Sequence, residues 1–196
     1  MTKPVKQKIV EACIAVMREE GDAASVSIRK IAKKAGIGVG LVNYYFQSKQ
    51  NLIGECVRIF IGQTIAKWGE VVPRQKKKSE EQLEAMLAAA AQFLVDYPKI
   101  SRISILQDMQ HPEAGDNTGH TVAGMMPVLS EMNARRRPPQ VLKREAYLAL
   151  FSIQVAFLRA VPLAAETGFD FYDTKQRRQL IHSVVDRLVV NLSKKG

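Results

Sequence analysis

Residues 27–49 restrict the fold more than any other part of the sequence, because two short helical patterns are joined there by a glycine turn. Ser27 can cap the first helix. The apolar residues of that helix recur at helical spacing and are Ile28, Ile31, Ala32 and Ala35. Gly36 supplies the backbone freedom needed to leave the helix, and a second short helix is predicted over 39–46. Two helices joined this closely form a helix-turn-helix.

The second short helix is predicted to turn Leu41, Val42 and Phe46 toward a core. Its other side is polar or lacks a side chain and consists of Gly40, Asn43, Tyr44 and Tyr45. An asparagine amide can pair with base edges, tyrosine hydroxyls can bind phosphates, and glycine permits close approach to the DNA backbone. The pattern therefore predicts a helix for the major groove. The alternatives are a solvated or locally capping amide for Asn43 and a core position for Tyr45.

Nine residues are predicted to contact DNA. They are Ser27, Arg29, Gly38, Val39, Gly40, Asn43, Tyr44, Tyr45 and Lys49. Asn43 is the first candidate for a base contact, and Val39 and Gly40 contribute through packing. Arg29 can contact either a base or a phosphate. Lys49 follows a predicted Ser cap, so its ammonium and the free N–H groups of its helix can face one phosphate together.

These residues resemble the N-terminal signature of the TetR family of transcriptional regulators. The matching positions are Ile31-Ala32, Ala35-Gly36-Ile37, Gly40, Tyr45-Phe46 and Ser48-Lys49. Gly38 departs from the family, which most often has a capping Ser or Thr there, and Asn43 replaces a usual aromatic residue. The resemblance implies an all-α protein with a three-helix helix-turn-helix DNA-binding domain at 1–48. It also implies a larger helical ligand-binding and dimerisation domain at 49–196.

The charge of the chain favours an anionic partner. Its 196 residues carry a formal net charge of +10, and the sequence pI is about 9.7. Residues 1–58 contain ten Lys and Arg against five Asp and Glu, and residues 59–196 contain nineteen against fourteen. The shorter part thus has the higher charge density, as expected if it contacts double-stranded DNA. A membrane partner is not expected, because the basic residues lie opposite a core and not opposite an exposed apolar face.

The sequence also predicts a cytoplasmic location. It has no apolar run of about twenty residues, and its first residues lack the apolar centre of a secretion signal. Cys13 and Cys56 lie on the apolar sides of predicted helices, which favours small core residues over a disulfide. Without nearby histidines they do not indicate a metal site, and no cofactor is expected.

Helical periodicity continues to the end of the chain, and strand-like alternation is absent from the sequence. Helices are predicted at about 4–20, 49–73, 80–95, 98–109, 121–136, 140–166 and 174–192. The last two are the most apolar, and a four-helix contact across a two-fold axis would bury them. The residues predicted for this contact are Phe151, Val155, Arg159, Leu180, Val184 and Leu188. The resemblance implies the same homodimer, and the alternative is a monomer in which both helices are core elements.

The resemblance further implies a small-molecule pocket in the C-terminal domain. Its candidate lining residues are Trp68, Met86, Phe93, Met109, Met125, Met126, Gln154 and Phe157. Methionine and aromatic residues at helical spacing are more often core residues than ligand contacts, so the pocket is inferred from the family. The acidic residues of this part are scattered, and we expect an apolar or amphipathic effector and not specifically a cationic one.

These patterns, together with the resemblance, predict a dimeric repressor that a small-molecule effector releases from an inverted-repeat operator. One alternative is a regulator whose ligand promotes DNA binding or activates transcription. A helical enzyme is an alternative of a different class, with acid–base groups in the loop that contains His111, Glu113, Asp116 and His120. Those four residues lack the repeated spacing of metal ligands, and no metal site or catalytic residue is predicted.

Overall fold

A computed structural model describes residues 4–20, 25–71, 78–133 and 136–193, and for 63–71 it describes the backbone alone. Within these ranges the regular structure consists of ten helices without a strand, which confirms the all-α fold class. The helices are α1 (Val5–Glu20), α2 (Ile28–Ala35), α3 (Val39–Phe46), α4 (Lys49–Val71), α5 (Ser79–Asp96), α6 (Pro98–Gln110), α7 (Asn117–Met132), α8 (Pro139–Leu158), α9 (Ala160–Thr167) and α10 (Thr174–Ser193).

Helix packing divides the chain into two compact units. The first contains α1–α4 and α6, and the second contains α5 and α8–α10 together with α7 from Thr118 onward. This division differs from a boundary at residue 48, because α1 packs against α4 and α6 as well as against α2. The limits 1–48 and 49–196 therefore stay a prediction about where DNA binding ends along the sequence.

The core of the first unit forms around α1. The buried residues of this helix are Ile9, Val10, Ala12, Cys13, Ile14, Val16 and Met17. Cys13 and Cys56 are fully buried free thiols, which confirms that they are core residues. A hydrogen bond between the Cys56 and Cys13 side chains, together with burial, raises the pKa of Cys56 far above its usual range. The Cys56 thiol therefore stays protonated at neutral pH.

Two side chains fasten α6 to other helices of the first unit. Lys99 Nζ donates to the Glu19 carbonyl at the end of α1 over 2.8 Å. Gln107 Nε2 donates to the Gln50 carbonyl in the first turn of α4 over 2.9 Å. α6 is thus bonded at both of its ends to helices that pack with the helix-turn-helix.

A break after α8 contradicts the single helix predicted at 140–166. α8 ends at Leu158, and α9 begins at Ala160 after a bend of 84°. Pro162 explains the break, because it has no N–H to donate to the Leu158 carbonyl and its ring would clash with that oxygen. Among the described residues no single helix is long and apolar enough to cross a bilayer, and α8 and α9 reach that length and composition only as a bent pair.

The helix predicted at 121–136 begins and ends four residues earlier, as α7. The chain turns at Gly115, which has φ +86°, and the Asp116 N–H donates to the Glu113 carbonyl over 3.1 Å. Asn117 then donates from its buried amide to Ser104 Oγ at 3.2 Å. Gly119 lies inside α7, because one glycine costs a helix only about 1 kcal/mol. The glycines and polar residues before residue 121 therefore did not mark the start of the helix.

A buried guanidinium joins three parts of the second unit. Arg177 is 4% exposed and donates to the carbonyls of Phe171 and Tyr172, over 2.9 and 3.1 Å. It also donates to Gln92 Oε1 on α5 over 2.8 Å. The cation is thus satisfied by three oxygen acceptors that hold the turn before α10 against α5.

Replacing Arg177 by alanine is expected to lower the free energy of unfolding by about 2–3 kcal/mol, because it leaves buried oxygen acceptors without their donor. Urea denaturation followed by circular dichroism measures this loss. The matched control is Arg178→Ala, since the neighbouring side chain is exposed, and it should change stability by less than about 0.5 kcal/mol. Equal effects of the two variants would contradict a structural role for the buried guanidinium.

His182 on α10 pairs with a carboxylate of α5. Its Nδ1 lies 2.6 Å from Glu84 Oε1, and its Nε2 lies 3.4 Å from Asp186 Oδ2. The hydrogen bond to Glu84, and then the charge of Asp186, raise the pKa of His182 above its usual 6.5. The protonated ring forms the stronger contact, so its contribution to stability is complete below pH 6.5 and is lost as the pH rises through the raised pKa.

An NMR titration of the three histidine rings tests this pairing. The midpoint of His182 is expected above 6.5, and Glu84→Gln is expected to move it down toward 6.5 because the main hydrogen-bonding carboxylate is gone. A His182 midpoint that is the same in both proteins would show that Glu84 does not stabilise the protonated His182 ring.

Candidate nucleic-acid interface

The first helix of the motif begins and ends as the sequence predicts. Ser27 Oγ accepts the N–H of Lys30 over 3.2 Å, so Ser27 is the N-cap of α2. Gly36 ends the helix with φ +68°, a left-handed conformation that suits glycine. The N–H of Ile37 then donates to the Ala32 carbonyl over 3.1 Å. These bonds fix the direction in which the chain enters α3.

The core-facing side of α3 is narrower than predicted. Val42 and Phe46 are buried, but Leu41 is 38% exposed, so its predicted core position is wrong. One residue corresponds to about 100° around a helix, and the buried stripe passes through Val42 and Phe46. Leu41 therefore lies at the edge of the outward face. Gly38 is the N-cap of α3 and offers no side-chain bond.

The outward face of α3 carries the predicted DNA-contacting residues. Tyr44 is 78% exposed, and Gly40 and Asn43 are also exposed. Tyr45 is 39% exposed and packs edge-on against Tyr44, with 5.4 Å between ring centroids, so it does not close the core. Within the described part of the chain the Asn43 amide has no hydrogen bond. Its donor and acceptor are therefore both available.

The junction between α3 and α4 is only two residues long. Gln47 caps α3 with φ +60°, and its N–H donates to the Asn43 carbonyl over 2.8 Å. Ser48 Oγ accepts the N–H of Asn51 over 3.0 Å, which confirms the predicted cap. α4 begins at Lys49. Lys49 is thus at a helix N-terminus that follows α3 and its outward face after two residues.

The basic side chains of α2 fall into two classes. Lys30 Nζ pairs with Glu20 over 2.7 Å, and Lys34 pairs with Glu19. Arg29 and Lys33 are exposed and have no ion pair among the described residues. Lys33 was missed by the sequence analysis, because the four basic residues of α2 look alike until the acidic end of α1 is placed. Arg29 and Lys33 are the cations of this helix that can meet phosphates without first leaving a carboxylate.

A polar cleft of about 320 Å³ adjoins the end of α3. It is bordered by the first turns of α4, the end of α6 and the loop that follows α6. His111, Glu113 and Asp116 border it, and they are three of the residues on which the enzyme alternative depended. The fourth, His120, is exposed on α7. In the described ranges no three His, Cys, Asp or Glu residues are arranged to hold a metal ion.

The residues predicted for the effector pocket have different environments. Phe93, Met125, Gln154 and Phe157 are buried, and Met86 and Met126 are partly buried, all in the second unit. Met109 is 46% exposed on α6 of the first unit, and the side chain of Trp68 lies outside the described residues. Gln154 Nε2 donates to Thr118 Oγ1 over 3.1 Å, and its Oε1 has no partner among the described residues. None of these residues borders the polar cleft.

Two of the residues predicted for dimerisation are part of an exposed apolar stripe on α8. Phe151 and Val155 are 40% and 44% exposed, and Arg159 is exposed just beyond α8. Leu148, which the sequence analysis did not select, is 53% exposed one turn earlier. On α10, Leu180 and Val184 are partly buried. Leu188 is 3% exposed and belongs to the core of its own unit, so it does not extend the stripe.

Comparison with known proteins agrees with this geometry. The model of the family described as "Bacterial regulatory proteins, tetR family" matches residues 9–56. The regulator BetI of Proteus mirabilis is 38% identical over 53 residues, which are 27% of this chain and 26% of that protein. The match thus spans about a quarter of that relative.

Solved structures resemble the chain over nearly its whole length. A TetR transcriptional regulator from Rhodococcus sp. RHA1 covers 96% of this chain and 97% of its own, with a TM-score of 0.63 and 21% identity. A single-residue variant of TetR from Acinetobacter baumannii AYE, in complex with minocycline, covers 95% and 97% with a TM-score of 0.68 and 14% identity. At these identities the likeness concerns the fold alone.

Proposed function

We propose that the chain is a regulator of the TetR family, whose family model matches residues 9–56. In this proposal it is a dimer that binds double-stranded DNA sequence-specifically in the cytoplasm and regulates transcription. The observation that carries this proposal is the outward face of α3. That face presents an unbonded amide and a 78% exposed tyrosine beside a capped helix N-terminus. Such a helix can read bases while the flanking caps and cations meet phosphates.

We propose a homodimer built on the exposed stripe of α8. Leu148, Phe151 and Val155 recur at helical spacing, and a second copy would bury them around a two-fold axis. The two recognition helices would then enter successive major grooves about 34 Å apart. The operator is therefore expected to be an approximate inverted repeat.

We further propose that the regulator is a repressor and that a small-molecule effector releases it. The effector would bind in the second unit, where apolar residues and the buried amide of Gln154 favour an apolar or amphipathic molecule. In the first unit, α6 is bonded to α1 and α4, so any displacement of α6 would move the DNA-reading helices. Release requires that the effector prefer the form that does not bind DNA. An effector that prefers the DNA-bound form would make the same protein a ligand-activated regulator.

The test of this function is selection of bound fragments from the genome of the source organism, followed by titration of the best fragment and a scrambled copy at two salt concentrations. We expect an inverted repeat that binds at least about 1,000-fold more tightly than its scrambled copy. Equal, salt-sensitive binding to both would overturn sequence-specific regulation, because contacts to phosphates alone produce that behaviour.

A further inference from the structure

The recognition helix α3 has no charged side chain. Its sequence is Val-Gly-Leu-Val-Asn-Tyr-Tyr-Phe over residues 39–46. Val39 and Leu41 are 39% and 38% exposed, on the same helix as the exposed Asn43 amide. The surface offered to the bases therefore consists of aliphatic groups, an amide and phenols.

Base pairs differ in what such a surface can read. Guanine is most often recognised in the major groove by Arg or Lys, which donate to its O6 and N7 atoms. Adenine is recognised by the amide of Asn or Gln through N6 and N7, and thymine by apolar contact with its methyl group. α3 has no Arg or Lys for guanine, but it has an asparagine amide for adenine and exposed apolar side chains for thymine.

The nearby cations do not supply the missing guanine contact at the centre of the groove. In a helix-turn-helix the first helix crosses the DNA backbone, while the second lies in the groove. Lys30 and Lys34 on α2 are already paired with Glu20 and Glu19. Arg29 and Lys33 are on the same phosphate-facing helix. The cations of α2 are therefore on the helix that meets phosphates, Lys49 is at the N-terminus of α4, and the uncharged groups are on the helix that meets bases.

We propose that α3 reads A·T pairs: the Asn43 amide binds adenine, and Val39 and Leu41 contact thymine methyl groups. This inference rests on the proposed function and adds to it the base composition of each half-site. The positions under α3 are A·T in the operator, whatever the composition of the spacer.

Base analogues in the selected operator test the inference directly. Uracil in place of thymine removes one methyl group and keeps the base pair, and it is expected to weaken binding about fourfold in each half-site. 7-Deazaadenine removes the N7 acceptor and is expected to weaken binding about tenfold. As a matched control, 7-deazaguanine at the guanines of the same operator should change the dissociation constant less than about twofold.

Variants assign each effect to a side chain. Asn43→Ala should remove the sensitivity to 7-deazaadenine and keep the sensitivity to uracil. Val39→Ala combined with Leu41→Ala should remove the sensitivity to uracil and keep the sensitivity to 7-deazaadenine. Once a contact has been removed from the protein, removing its partner group from the DNA has no further effect. All three side chains are exposed, and circular dichroism of each variant verifies that the helices are intact.

The possible results separate this inference from the function on which it rests. A specific inverted repeat that tolerates uracil and 7-deazaadenine, but loses affinity with 7-deazaguanine, would overturn the A·T assignment and leave the regulator in place. Failure to select any sequence above its scrambled copy would overturn both. Loss of affinity with the first two analogues, cancelled by the matching variants, would support the assignment.

Discussion

Replacing both Asn43 and Tyr44 by alanine is expected to weaken binding to the selected operator by about 100-fold or more. The Asn43 base contact is worth about 1–3 kcal/mol, the Tyr44 hydroxyl adds a phosphate contact, and a symmetric dimer loses both contacts twice. Binding to scrambled DNA should change much less, because the cations of α2 and the start of α4 remain. Titrations of operator and scrambled duplexes by fluorescence anisotropy at one salt concentration measure both values.

Tyr172→Ala is the matched control for this double variant. Tyr172 is another exposed tyrosine, at 48%, but it lies in the second unit. Its loss should leave the operator affinity unchanged within about twofold. Because Asn43 and Tyr44 are exposed, the double variant should keep its helical content and its oligomeric state. If it unfolds instead, the two residues have a structural role. If it still strongly prefers the operator, they are not the readers of the sequence.

Replacing Phe151 and Val155 by glutamate should convert the proposed dimer into a monomer. The substitutions put four carboxylates, two from each copy, into an apolar contact around a two-fold axis, where like charges repel and lose their hydration. Analytical ultracentrifugation should show a monomer at micromolar concentration. The operator affinity should fall by about 100-fold or more, because one bound half-site no longer raises the effective concentration of the other unit.

Val190→Glu controls for the change from an apolar to an acidic side chain. Val190 is 52% exposed on α10 and lies about 80° around that helix from Leu180 and about 120° from Val184, so this variant should remain dimeric. A Phe151→Glu, Val155→Glu protein that remains a dimer would place the interface elsewhere on the surface. Dissociation of both proteins would show that the dimer is sensitive to charge in general and not to the α8 stripe.

Local signals predicted the helix-turn-helix well, because its ends are fixed by neighbouring residues. Ser27, Gly36 and Ser48 occupy the positions that their chemistry favours, and each bonds or turns within a few residues. The position of Leu41 was not predictable in the same way. An eight-residue helix has about two turns, so its periodicity defines a buried side only to within one residue.

The remaining differences between sequence prediction and structure arose where a distant residue, or a residue compatible with two structures, determines the outcome. The break after Leu158 follows from Pro162, a residue that is compatible with the first turn of a helix and therefore with either interpretation of the sequence. The pairing of Lys30 and Lys34 depends on Glu19 and Glu20, which come from another helix. Whether a lysine of α2 is available to bind phosphate thus depends on residues of another helix, which the local sequence does not reveal.

The absence of charge on α3 has a consequence for how the protein searches a genome. Cations of a protein release counterions from DNA, and the cations beside α3 are proposed to meet a DNA backbone that is chemically the same in every sequence. Accumulation of potassium during osmotic stress would therefore loosen the correct complex and the incorrect ones by the same factor. Occupancy of the operator would fall, while the ratio by which the correct site is preferred would stay constant.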